Sequence, residues 1–488
     1  MKQKLLALAL CLGLLLPAVP VKAAEARELS SRQLITDCRN LSNLGMLFDG
    51  RLQRNLTGGA NASLTLSAPE GIGSIYVIFQ MEYGEYQLVN EDTGEKVTCG
   101  RENFLHEYID VTKAFGSAPR SVTLRFGEKA PQLNELRVFS EGEPPADVQR
   151  WKRAPEEGVD LMIFSTHGDD EQLFFAGVLP YYAGELGYEV QVAYLTRHPN
   201  YGPGRSHEML DGLWAVGVTN YPVSGGFEDY YCKSKPHAYQ AFADRGITED
   251  QLLSYVVEQL RRYKPLVALG HDEHGEYGHG MHQLFSELLR RGVEVSGDPR
   301  QFPETAEKWG TWDVPKTYLR LYPENPVHMD WDRPLSHFDG MTAYEVTKTY
   351  GFPAHASQYQ GFAWYFESDT AEGVEKYGPC DFGLYRSTVG EDVQKDDFFE
   401  NLVNREEQKR LEEEARQQVL EEQRRKELQK QEEKRRAEEE QQRKEEEASL
   451  AAQAQAARER VFLAGGISAA AALILCLILL LRHWKKRQ

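Results

Sequence analysis

From about Asp160 onward, short apolar runs alternate with longer segments of helical character, and this alternation restricts the fold more than any other feature of the chain. LMIFST (Leu161–Thr166) reads as a strand buried on both faces, and EVQVAYLT (Glu189–Thr196) and LVALG (Leu266–Gly270) read as further strands. Helices are expected over Leu173–Leu186, Arg205–Gly217, Leu252–Tyr263 and His279–Arg290. Strands alternating with helices imply a mainly parallel, Rossmann-like sheet with helices on both faces. The expected class is therefore α/β over residues 150–395.

Two of these strands run straight into clusters of chemically active side chains. The first leads into THGDDE, Thr166 to Glu171, and LVALG leads into HDEHGEYGHGMH, His271 to His282. Ligands of open α/β sheets bind beyond the carboxyl ends of the strands, where both clusters fall. His167 and Asp170 are three positions apart and can turn onto one metal ion. His279 and His282 share a helical face at the same spacing. Three N/O ligands with an open fourth position define a catalytic zinc site. Asp169 is then a spare carboxylate able to take a proton, and His279 a spare imidazole able to stabilise an oxyanion. A plainer reading is also open. Acidic residues at a helix start favour the helix dipole, and a His-rich loop can simply be solvated.

Residues 30–143 follow another pattern. SLTLS (Ser63–Ser67), SIYVIF (Ser74–Phe79), YIDV (Tyr108–Val111), SVTLRF (Ser121–Phe126) and ELRVF (Glu135–Phe139) are short runs separated by Gly, Asn and Pro. Such spacing predicts a β-sandwich, and EGEPPAD (Glu141–Asp147) reads as a linker to the α/β part. The opening LFDG (Leu47–Gly50) and the closing ELRVF resemble galactose-binding-like modules, which implies either glycan binding or a packing partner for the next domain.

The ends of the chain speak to location. Lys2 and Lys4 precede the apolar run Leu5–Leu16, and small residues follow near Ala23–Ala26, the pattern of a secretory signal peptide over residues 1–26. Val461–Leu481 is uncharged and long enough for one spanning helix. The basic residues among 482–488 should stay cytoplasmic. This makes a single-pass cell-membrane protein with its body extracellular. Between body and anchor, residues 400–457 hold a charged stalk, and Arg405–Glu447 contains 16 acidic, 13 basic and 8 Gln residues. Acid-before-base pairs four apart, such as Glu422–Lys426 and Glu440–Lys444, stabilise an isolated helix by ~0.2–0.5 kcal/mol each. Apolar positions are too sparse for a sustained coiled-coil seam, so a solvated single helix is favoured. With 56 Lys+Arg against 75 Asp+Glu, the net charge of −19 argues against a nucleic-acid partner. Cys38 with Cys99 and Cys232 with Cys380 is one of three pairings open to the four cysteines of the exported body. Oligomeric state is not legible.

THGDDE resembles the His-x-Asp-Asp-Glu signature of the LmbE-like (PIG-L) zinc de-N-acetylases. GEYGHGMH (Gly275–His282) is similar to that family's second motif. Arg205-x-x-Glu208 with Gly217-Val218, and GFEDY (Gly226–Tyr230), resemble two more, the latter a loop that supplies a substrate-binding Asp. The resemblance implies Zn2+ held by His167, Asp170 and His282, with Asp169 as general base. His279 would stabilise the oxyanion or protonate the leaving amine. Tyr277 would polarise the amide carbonyl, and Arg205 and Asp229 would hold sugar hydroxyls or a phosphate. The implied reaction removes an N-acetyl group from an amino sugar, a GlcNAc-type glycan or glycoconjugate. The alternative is a surface glycan-binding protein without catalysis. Two positions depart from the family. Gly168 replaces a Pro, and Met281 stands where an Asp would pair with His279, unless Asp272 or Glu276 substitutes.

Overall fold

The computed structural model describes residues 24–197 and 204–487. The expected signal peptide lies outside the described residues except for its last three positions. Nine strands precede residue 140 and form two antiparallel sheets. One sheet has the order β1-β3-β8-β5-β6, built from Ile35–Arg39, Ser63–Ser67, Ser121–Arg125, Tyr86–Asn90 and Lys96–Cys99. The other has the order β2-β9-β4-β7, from Leu56–Thr57, Gln132–Phe139, Ser74–Phe79 and His106–Asp110. Alternation along the strands sets the faces. In β3, Leu64 and Leu66 are buried while Ser63, Thr65 and Ser67 are half-buried. Leu64 and Leu66 share one core with Val122 and Leu124, and with Ile75, Val77 and Phe79 of the other sheet. Strand β4 is buried on both sides, because Tyr76 and Ile78 pack with Phe139 and Val148 on its outer face.

The α/β half is a seven-stranded sheet of order β12-β11-β10-β13-β14-β16-β15. Its strands are β10 (Leu161–Ser165), β11 (Val190–Arg197), β12 (Val223–Glu228), β13 (Val267–Gly270), β14 (Lys316–Arg320), β15 (Pro326–His328) and β16 (Asp381–Ser387). Strands β10 to β14 are mutually parallel, and β15 and β16 close one edge antiparallel. Side chains of β10 alternate between two cores: Leu161 and Ile163 on one face, Met162 and Phe164 on the other. That is why its sequence is apolar without interruption. The face bearing Met162 is covered by α3 (Lys235–Ala243), α4 (Glu249–Tyr263) and α5 (Gly280–Val295). The opposite face packs α1 (Asp170–Leu173) and α2 (Gly204–Ala215), and its core is continuous with that of the nine-stranded part. Helix α4 shows why these segments are helical. Thr248 and Gln251 form a capping box, acids fill the first turn, and Leu252, Leu253, Val256, Val257 and Leu260 make one buried stripe.

Several expectations need correction. Leu173–Leu186 is mostly helical, as expected, but not continuous: α1 ends at Leu173, a turn follows over Phe174–Gly177, and winding resumes from Val178 to Glu185, with a wide turn over Pro180–Glu185. The loop expected at GFEDY is only partly a loop, because Gly226, Phe227 and Glu228 belong to β12 and pairing with β11 runs on to Glu228. The pairing of Cys38 with Cys99 is excluded by topology. These residues lie on β1 and β6, opposite edges of a five-stranded sheet, about 19 Å apart at the usual strand spacing. Cys38, Cys99, Cys232 and Cys380 are all free.

The second compact unit, Glu406–Gln488, is described by itself. It belongs to a single helix, α6 (Arg405–Lys485), with no buried residue along its length. Glu422–Lys426 and Glu440–Lys444 form at 2.7 Å each. The apolar end of α6 is, by length and composition, a candidate membrane span.

A buried ion pair ties the segment after β16 to the sheet. Lys316 Nζ donates to Asp392 Oδ1 at 2.5 Å and to the Glu400 carbonyl at 2.8 Å, and the Tyr318 hydroxyl donates to Asp392 Oδ2 at 2.6 Å. Both charges are almost fully buried. Asp392→Ala leaves the ammonium without its counter-charge, so urea unfolding should show a loss of roughly 3–5 kcal/mol. A loss below about 1 kcal/mol would contradict this account of the pair.

Candidate metal and catalytic centre

The centre forms where the strand order reverses, between β10 and its neighbour β13. The turn after β10 carries His167, Asp169 and Asp170, and the loop after β13 carries His271 to His279 before α5 begins. Three donor atoms face one another. His167 Nδ1 is 2.9 Å from Asp170 Oδ2, and His282 Nε2 is 3.2 Å from each of them. Donors bound at about 2.1 Å around a tetrahedral zinc stand about 3.4 Å apart, so the triangle fits such an ion. Burial disfavours charge here, yet His282 and His167 hold Asp170 well below the usual carboxylate range. In turn, carboxylates push His167 up to about 10 and His282 up to about 9 against the effect of burial.

Hydrogen bonds fix which nitrogen each ring presents. His271 Nε2 accepts the Thr166 N–H at 3.0 Å, so its proton is on Nδ1, facing Glu276 Oε2 at 3.0 Å. His282 Nδ1 meets the same carboxylate oxygen at 2.8 Å, which leaves Nε2 to the triangle. Glu276 is fully buried, with the Arg320 guanidinium 3.5 Å away as counter-charge. Its carboxyl lies well below the ordinary value; burial opposes this and His271 and His282 outweigh it. Asp229 Oδ1 lies 3.0 Å from His167 Nε2, so the loop after β12 orients that ring from its far side.

Asp169 caps no backbone N–H of α1. Its carboxylate is 3.1 Å from Arg205 Nη2 of α2, and both side chains are buried. Burial raises the Asp169 carboxyl above its ordinary value, and Arg205 pulls the other way. Arg205 thus stands beside Asp169, and Asp229 beside His167, and both touch the groups of the centre itself. His279 is the N-cap of α5, and its Nδ1 accepts the Met281 N–H at 3.2 Å. The ring proton is therefore on Nε2, and burial beside His282 and His167 lowers this imidazole to about 3. Neither Glu276 nor Asp272 replaces the missing carboxylate partner. Glu276 serves His271 and His282, and Asp272 Oδ1 accepts the His274 N–H. Tyr277 adopts a positive φ of 51°, uncommon for a bulky residue and typical of functional sites. Its ring packs on His279 and His282 at 5.5 Å each, and it stays partly exposed at the mouth.

Three participants had no separate signal in the sequence. His271 and Glu276 lay within the His-rich motif, but nothing distinguished them from solvated loop residues. His355 is buried and bonds Glu171 at 2.9 Å.

No family model matches the chain. Among curated proteins it is 27% identical to the 1D-myo-inositol 2-acetamido-2-deoxy-alpha-D-glucopyranoside deacetylase 1 of Catenulispora acidiphila, over 35% of this chain and 58% of that one. It is 28% identical to deacetylase 2 of the same description from Saccharopolyspora erythraea, over 34% of this chain and 66% of that one. The chain thus spans little more than half the length of the first of these relatives. Among solved structures, the N,N'-diacetylchitobiose deacetylase of Pyrococcus horikoshii aligns with a TM-score of 0.34 at 14% identity, covering 47% of this chain and 85% of that one. Over about a third of its length, the chain is thus similar to curated deacetylases whose described substrate is a 2-acetamido-2-deoxy-glucopyranoside of inositol.

Gly280 sits between His279 and Met281 at the start of α5, where a Cβ would meet the Ser234 backbone at 2.2 to 2.7 Å. Gly280→Ala must shift that backbone, and thermal or urea unfolding should report a loss of roughly 1–3 kcal/mol. Wild-type stability in this variant would contradict the close approach.

Proposed function

We propose that the chain is a zinc-dependent hydrolase that removes the N-acetyl group from a GlcNAc-type amino sugar at the cell surface. The observation that carries the reading is the donor triangle of His167, Asp170 and His282 beside the buried Asp169–Arg205 pair. Zinc held by those three residues supplies Lewis-acid polarisation and acidifies a water. Asp169 accepts the proton of the water that attacks the acetamide carbonyl, and Arg205 keeps that carboxylate ionised as a base. His279 donates its Nε2–H to the carbonyl oxygen as negative charge develops there. This is donation by a neutral imidazole, consistent with its Nδ1 being occupied by a backbone N–H. The Tyr277 hydroxyl, on a ring packed against His279 and His282, would add a second donor to the same oxygen. The C–N bond then breaks, the amine takes up a proton, and acetate and the free amino sugar leave. Asp229 orients His167 and stands where it would meet substrate hydroxyls.

The signal-peptide pattern and the apolar end of α6 support an exported body on a single membrane anchor, with the basic tail cytoplasmic. A catalytically silent glycan-binding protein is the rival, and the presence of base, oxyanion donor and all three metal donors speaks against it.

Asp169→Asn keeps a hydrogen-bond partner for Arg205 while removing the base. Metal content should be unchanged, and acetate release from N-acetylglucosamine oligomers should fall roughly 10²–10⁴-fold. Turnover within a factor of three of wild type would overturn the mechanism.

A further inference from the structure

Among the described residues, one cluster of donor side chains lies outside the centre described above. Strands β15 and β16 run antiparallel with His328 directly opposite Asp381. This register brings Asp381 Oδ1 to 2.8 Å from His328 Nδ1. Glu372, from the segment before β16, places Oε1 2.5 Å from His328 Nε2. Cys380 immediately precedes β16, is buried and has no disulfide partner. One donor atom each from His328, Glu372 and Cys380 lie within 4.8 Å of one another.

We propose that His328, Glu372 and Cys380 bind a second zinc ion, separate from the proposed catalytic one. The donor set of one imidazole, one carboxylate and one thiol suits zinc, which accepts N, O and S ligands, and suits magnesium or calcium poorly. Asp381 takes the role of the carboxylate behind a metal-bound histidine. By accepting the Nδ1 proton it leaves the Nε2 lone pair facing Glu372. Without a cation, a nitrogen and a carboxylate oxygen face each other at 2.5 Å only if a proton sits between them. Metal binding would displace the Cys380 thiol proton and give the thiolate its counter-charge. The backbone around Glu372 is also pre-positioned, since Asp332 accepts the N–H groups of Ala371 and Glu372 at 2.8 and 3.2 Å. His328 and Glu372 are exposed, which leaves the fourth position to solvent.

Such an ion would pin the Glu372 segment to the edge of the sheet. The same segment borders a cavity of about 570 Å³ lined by Trp364, Tyr365, Glu367, Ser368 and Lys376 among others. Tyr365 packs on Phe174 at 5.8 Å, and Phe174 packs on His282 at 5.6 Å. The second ion, with its fourth position open to water, would thus hold down a wall two ring contacts from the catalytic centre.

The test is cobalt titration of the full-length chain in detergent after metal is stripped with a chelator. Cobalt(II) reports a thiolate ligand by a near-ultraviolet charge-transfer band, and the catalytic centre offers no sulfur donor. Wild type should bind two equivalents, and the band should grow with one of them. His282→Ala should bind one equivalent and keep the band. Cys380→Ser and the exposed His328→Ala should each bind one equivalent and lose it. A wild-type chain without the band, or a band that survives Cys380→Ser, overturns the proposal and leaves His328 as an imidazolium held between two carboxylates. Loss of acetate release with the band intact would count against the catalytic reading alone.

Discussion

Three lone-pair donors held about 3 Å apart inside a protein repel one another unless positive charge lies among them. Much of the α/β half sustains that arrangement at His167, Asp170 and His282. The backbone N–H of His167 donates to Asp170, which fixes the turn after β10. Glu276 receives both His271 and His282, and Arg320 of β14 compensates its charge. Asp229, from beyond β12, secures the far side of His167. The donors and their supports therefore come from several strand ends, and the parallel sheet brings those ends to one place. The reversal of strand order between β10 and β13 opens the crevice in which they meet.

The nine-stranded part contributes to the same scaffold through packing and one polar contact. Its core is continuous with that of the α/β sheet. His106 of β7 reaches His207 of α2 at 2.7 Å, and Tyr76 holds the other nitrogen of His106 at 2.9 Å. His207 lies two residues from Arg205 on the helix that presents the guanidinium to Asp169. A packing partner that steadies α2 is thus the role these contacts describe, whatever else the two antiparallel sheets bind.

How much of this was legible in the sequence follows from how local each signal is. Strands β10, β11 and β13 and helices α2, α4 and α5 carry their periodicity within ten or fifteen residues, so they stand out. The motif residues were legible because candidate donor side chains fall at short spacings, as in His167–Asp170 and His279–His282. The partners were not legible, because they are set by tertiary contacts between distant positions. Arg205 meets Asp169 from 36 positions away, Arg320 meets Glu276 from 44, and His355 meets Glu171 from 184. The break within the mostly helical segment Leu173–Leu186 was not legible for a related reason. Gly177 takes a positive φ of 93° with Trp331 pressed against it, and the apolar composition reflects burial beneath that ring.

The central claim is that His167, Asp170 and His282 converge on one metal ion, and anomalous scattering at the zinc edge from crystals of the chain tests it most directly. The account predicts a peak within bonding distance of His167 Nδ1, Asp170 Oδ2 and His282 Nε2, absent from crystals of His282→Ala. Crystals grown with zinc that show no peak among those three atoms would contradict it.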